Sequence, residues 1–88
     1  MTDYPPGEFS VCQFFKSGGH EYVRRFVDAQ ESVEAFRHFS ESVAAQVGIV
    51  NRVIITDGDD FCCMEWKYGQ GLTFPPELME KWNRKEDK

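Results

Sequence analysis

Residues 28–48 read DAQESVEAFRHFSESVAAQVG, and this stretch decides the fold. Ala29, Val33, Phe36, Ser40, Val43, Ala44 and Val47 recur at the spacing of one helix face. Glu31, Glu34, His38, Glu41, Ser42 and Ala45 fall on the opposite face. Asp28 is an N-cap, and Glu31 sits where its backbone N–H can receive that cap and its carboxylate can answer it. Gly48 suits the left-handed residue that ends a helix. The spacing thus predicts one helix over 29–47, roughly 28 Å long at ~1.5 Å per residue. Ser40, the polar member of the stripe, is expected to bond back to a carbonyl of the preceding turn.

Working outward, β-branched and aromatic residues alternate on both sides of this helix. Residues 8–16 (EFSVCQFFK) predict a first strand with Phe9, Val11 and Phe15 on one side and Cys12 and Phe14 on the other. A turn at Ser17-Gly18-Gly19 leads to a second strand, 21–27 (EYVRRFV). Strict alternation there sends Tyr22, Arg24 and Phe26 one way and Val23, Arg25 and Val27 the other. Residues 49–56 (IVNRVIIT) predict a third strand, 57–60 (DGDD) a turn, and 61–68 (FCCMEWKY) a fourth strand. Its apolar face is Cys62, Met64, Trp66 and Tyr68, with Cys63, Glu65 and Lys67 facing out. Residues 72–76 read as an extended link, and 77–83 as a short helix with Leu78, Met79 and Trp82 on its apolar stripe. The β2–α–β3 connection is a crossover candidate that would make those two strands parallel.

The expected architecture is α+β: a four-stranded, mostly antiparallel sheet with one long helix on one face and a short C-terminal helix, in β-β-α-β-β-α order. Its 88 residues make a single domain, 1–88, with a loose N-terminus over 1–7 and a frayed charged tail over 84–88. Eight Phe, three Tyr and two Trp supply a core that so short a chain would otherwise build thinly. No apolar run is long enough for a membrane span, and the start lacks the basic-then-apolar pattern of a secretory signal. Three cysteines without paired spacing read as free thiols, so the expected location is the cytoplasm.

Chemistry-bearing residues are few. Asp57, Asp59 and Asp60 lie in a turn too short for a calcium loop, which spreads its ligands over about twelve residues. Cys12, His20, His38, Cys62 and Cys63 lack the paired spacing of a zinc site. No nucleophile–base motif and no phosphate loop is present. The expectation is a chain with no catalytic residues, no metal and no cofactor.

Binding remains, and the expected partner is another protein or a second copy of this chain. The acidic helix face (Glu31, Glu34, His38, Glu41) and the turn acids (Asp57, Asp59, Asp60) are the surfaces that would meet a basic partner. Small acidic chains of this build include regulators and inhibitors of the bacteriophage-encoded kind. The alternative is a weak single-stranded nucleic-acid binder using the sheet face, with Lys16, Arg24, Arg25, Arg52 and Lys67 as cations and Tyr22, Phe26 or Phe61 between them. The net charge of −5 argues against it. A further alternative is a small enzyme with no recognisable motif.

Overall fold

The computed structural model describes residues 7–84, the last of them by its backbone only. The loose N-terminus and charged tail expected from the sequence lie outside these residues, except for Gly7 and Arg84. The elements are β1 (Phe9–Phe15), β2 (His20–Val27), α1 (Ala29–Ser40), α2 (Val43–Gln46), β3 (Val50–Thr56), β4 (Cys62–Lys67), β5 (Gly71–Phe74) and α3 (Pro76–Arg84). The fold is α+β, as the periodicity requires.

The sheet has five strands in the order β2-β1-β3-β4-β5, and every neighbouring pair is antiparallel. The fifth strand corrects the expected four. Residues read as a link instead pair with β4, with Leu72 opposite Trp66 and Gly71 opposite Lys67. Gly69 and Gly71, at φ of 82° and 79°, make the reversal tight enough for a short strand to follow at once. The crossover expectation is met in modified form. β2 and β3 run parallel, but β1 lies between them and hydrogen-bonds to both.

Both longer helices lie on the same face of the sheet. α1 packs over β1, β2 and β3, and α3 over β5. The Phe36 ring meets Trp82 edge-on at 5.5 Å between centroids, which joins the two helices above one core. That core contains Val11, Ala35, Phe36, Ala45, Val50, Val53, Ile55, Met64 and Leu72. Trp66, Met79 and Trp82 pack against it partly buried, while Leu78 remains exposed. The C-terminal helix therefore thickens the first helical layer and does not cover the second sheet face.

The long helix is in fact two. Asp28 caps α1 through a 2.8 Å bond from the Glu31 N–H, but the Glu31 carboxylate turns to Arg24. The chain breaks after Ser40 because Ser42 starts a new helix. Its Oγ accepts from the Ala45 N–H at 3.2 Å and donates to the Phe39 carbonyl at 3.0 Å, replacing the intrahelical ladder with side-chain bonds. The break rotates the buried stripe. Ser32, Ala35, Phe36, Ser40 and Ala45 are buried, whereas Ala29, Val43 and Val47 are exposed. Ser40 donates back to the carbonyl of Arg37. Gly48, at φ 89°, ends α2 in the left-handed conformation.

Register shifts change which side chains share a face, and two of them fall in β2: three residues separate Arg24 from Val27 where their partners Val11 and Phe9 are two apart, so Phe26 follows Arg25 onto the same side. In β2, Arg24 is opposite Val11 and Tyr22 opposite Cys12, so Val23 is the extra residue of a bulge. Arg24 thereby turns to the helical side, where it pairs with Glu31, and Arg25 joins Tyr22. In β4, Ile55 is opposite Met64 and Thr56 opposite Cys62, so Cys63 is the extra residue. It packs against the core, and Cys62 takes the outer side that the sequence reading assigned to Cys63. Tyr68 lies just beyond β4 and is exposed.

A cation and aromatic surface on the helix-free sheet face

No described helix covers the second face of the sheet. Two cross-strand rows build it. Strand pairing puts His20, Phe14, Arg52 and Lys67 in one line across β2, β1, β3 and β4. The next line, on the same side by the two-residue alternation of a strand, is Tyr22, Cys12, Ile54 and Glu65. Four strands at ~4.8 Å spacing make each row roughly 14 Å long.

The side chains of the two rows touch. Phe14 lies 5.7 Å from His20, and His20 meets Tyr22 edge-on at 6.0 Å. The Arg52 guanidinium stands 4.8 Å from the Phe14 ring centre, and Arg25 stands 4.2 Å from Tyr22 and 4.9 Å from Phe26. Cys12, Ile54 and Thr56 on this side are buried although no described helix lies above them, as long stems and rings laid along a sheet allow. Phe26 completes the strip at the edge. Its φ of 58° is a left-handed conformation that costs a bulky residue on the order of 1–3 kcal/mol. Its N–H donates to Ser10 Oγ, and its ring stays 55% exposed.

Arg52 and Glu65 form a tight ion pair, at 2.7 Å. Burial alone would raise the Glu65 carboxyl, but hydrogen bonds from Thr73 and Arg52 outweigh it and hold the group below the ordinary glutamate value. The unfolded chain therefore takes up this proton first. The stability linked to Glu65 is fully present above its unfolded pKa of about 4.3 and is lost as pH falls through the lower folded value. Thermal unfolding followed as pH is lowered from about 5 is expected to fall more steeply for the wild type than for Glu65→Gln. Parallel curves would contradict the pairing.

Burial pushes the Cys12 thiol up, against the pull of Arg52 and Arg25; Cys62 and Cys63 are raised by burial too. Protonated thiols are poor nucleophiles. Iodoacetamide at neutral pH is expected to leave Cys12 unlabelled in the folded chain and to reach it in urea, as read by peptide mass. Rapid native labelling of Cys12 would show that the strip above it is open. Among the described residues, no group of three or more His, Cys, Asp or Glu is placed to hold a metal ion. None of their helices is long and apolar enough to cross a membrane.

The other residues singled out in the sequence are dispersed. Glu31, Glu34 and His38 line a polar cleft of about 340 Å³ with Arg24, Asp28 and Gln30. Glu31 faces Arg24 at 3.5 Å, Glu41 faces Arg37 at 3.8 Å, and Glu34 accepts from Gln30. That surface is of mixed charge, and its exposed pairs contribute little to stability. Asp57 is used by its own turn, accepting from the Asp59 and Phe61 N–H groups at 2.8 and 3.0 Å. Asp59, Asp60 and the exposed Phe61 project from that turn. Lys16 borders a separate cleft of about 600 Å³ with Phe15, Val47 and Ile49.

Of the five cations named from the sequence, the fold thus gathers Arg25, Arg52 and Lys67 and separates Lys16 and Arg24. Phe14 and His20 were missed as ring partners. Their signal was present in the odd apolar side of β1 and in the turn that places His20 opposite Phe14. Comparison with known proteins finds no counterpart: no family model, no curated protein and no solved structure matches the chain.

Proposed function

We propose that this chain is a small non-catalytic binding module that engages its partner through the helix-free face of its sheet. The observation that carries this reading is the continuous strip Phe26–Arg25–Tyr22–His20–Phe14–Arg52, held in mutual contact on a face that no described helix covers. Aromatic and arginine side chains dominate the energetics of binding surfaces, because they combine large contact area with a polar handle. The strained Phe26, kept outward at a cost in stability, fits a surface retained for binding. The acidic helix face carries less of the reading than its sequence suggests, since Glu31 and Glu41 each have an arginine beside them.

The test is affinity capture from the source-cell lysate, with and without nuclease, using wild type and a Tyr22→Ala/Arg25→Ser double variant. Both positions are exposed on an edge strand, so the variant keeps the fold. A stoichiometric partner captured by wild type and lost by the variant supports the face. The same partner held equally by both overturns it.

A second reading, contact with another protein or with a second copy of this chain, is favoured by a different observation. Val43, Val47 and Ile49 are 74%, 61% and 57% exposed around the α2 end, where Val47 and Ile49 line the cleft beside Phe15. Sedimentation of wild type against Val47→Asp/Ile49→Asp tests it. A concentration-dependent dimer abolished by the pair supports self-association through that end, and a monomer at all concentrations removes it.

A further inference from the structure

We infer that the occupant of the sheet face is a single-stranded nucleic acid, with bases stacked on His20, Phe14 and Tyr22 and phosphates held by Arg25, Arg52 and Lys67. This rests on the sheet face being the binding surface and adds the chemistry of what binds there.

Charge segregation is the first argument. The chain carries a net charge of −5, yet the two cross-strand rows with Arg25 present three cationic side chains against one carboxylate, Glu65. That carboxylate is already held by Arg52 and Thr73. Most other described acids lie elsewhere, on α1, at the β3–β4 turn and on α3, while Glu21 on β2 accepts from Gln13. A cationic face on an acidic body matches an anionic ligand of limited width, since a broad one would also meet the repelling acids.

The second argument is the kind of contact on offer. β1, β3 and β4 are interior strands, so their backbone groups are used by the ladder and the face presents side chains alone. Those side chains are rings and guanidinium groups, which stack on the π-face of any base. A peptide backbone would instead pair in the plane of the sheet at the free edge of β2, beside the rings on the face and not over them. A duplex keeps its base faces stacked inside, so only an unpaired strand can use these rings. The row from His20 through Phe14 to Arg52 and Lys67 puts rings at one end and cations at the other. With its cations on phosphates and Glu65 held by Arg52 and Thr73, the face takes bases by stacking, which tolerates any sequence.

The test is fluorescence anisotropy with fluorescein-labelled oligothymidylate, oligouridylate and a mixed-sequence DNA duplex. The expected result is saturable binding of single strands at low salt and weaker binding of the duplex. Preference between the thymidylate and uridylate probes distinguishes DNA from RNA. Three phosphate contacts give a log–log salt slope of about −2, or roughly a fifteenfold loss between ~50 and ~200 mM salt. Tyr22→Ala is expected to weaken binding about tenfold with the slope unchanged, and Arg25→Ser to reduce the slope by about 0.7. Glu65→Gln removes the one carboxylate of the two rows, so Arg52 no longer divides its charge between carboxylate and phosphate, and should tighten binding, a direction that mere damage to the fold would not produce.

No anisotropy change at low salt, or equal affinity of wild type and the Tyr22→Ala/Arg25→Ser variant, overturns the inference. So does a duplex bound as tightly as the single strands. A lysate partner that survives nuclease and is lost by the double variant would retain the face and remove nucleic acid as its ligand. Failure of the face itself would appear as a partner held equally by both proteins.

Discussion

Phe36→Ala is expected to cost about 3–5 kcal/mol, the largest single effect of any substitution considered for this chain. Phe36 is fully buried, and it is the point at which α1 meets α3 through the edge of Trp82. Truncation removes the transfer free energy of the ring and leaves a cavity between two helices that the sheet prevents from closing. A chain of 88 residues has on the order of 4–13 kcal/mol of total stability, so the variant stands near the folding threshold. Urea unfolding with an unchanged slope and a much lower midpoint is the expected reading. The control is Val43→Ala. One continuous helix would bury Val43 in the same stripe as Phe36, but the break at Ser42 leaves it 74% exposed, so its loss should stay within about 0.5 kcal/mol. Comparable costs at the two positions would contradict the broken helix.

Leu72→Ala is the second, at about 2–5 kcal/mol. A leucine in a segment that reads as a proline-bounded link would ordinarily be worth little. In the fold Leu72 is fully buried under α3 at the sheet's far edge. Asn83 clamps it from the helix: the Leu72 N–H donates to Asn83 Oδ1 at 2.9 Å, and Asn83 Nδ2 donates to the Leu72 carbonyl at 3.2 Å. The carboxamide thus completes both backbone bonds on the side of β5 that has no strand neighbour. Loss of the leucine side chain loosens β5 and α3 together, so hydrogen exchange at 71–83 should accelerate beyond that at β1 and β3. A cost under about 1 kcal/mol would return this segment to a surface link.

Much of the fold was legible because it is local. The Asp28 cap, the Gly48 terminator, two β-hairpins and the 3.6-residue stripe around Phe36 depend on neighbours within a few residues. The errors arose where one residue is enough to change a face. A serine able to accept from a backbone N–H ended α1 early, and single extra residues at Val23 and Cys63 exchanged the sides of Arg24 with Arg25 and of Cys62 with Cys63. Alternation has a period of two, so each bulge inverts everything on one side of it. The candidate surface inherited this ambiguity: either arginine could have faced the rings, and only the register of β2 against β1 selects Arg25.

The amino-acid sequence by itself determined the α+β class, the β-β-α-β-β-α order of the main elements, the capping of α1 and the apolar inventory from which the core is built, because propensity, capping and periodicity are properties of short segments. The tertiary structure alone decided that β1 lies between β2 and β3, that β5 exists, and that both longer helices share one face. It also brought His20, Phe14, Arg52 and Lys67 into one row from four separate strands. Strand order and register follow from which distant segments bury one another most completely, a competition among all pairings that no local pattern records.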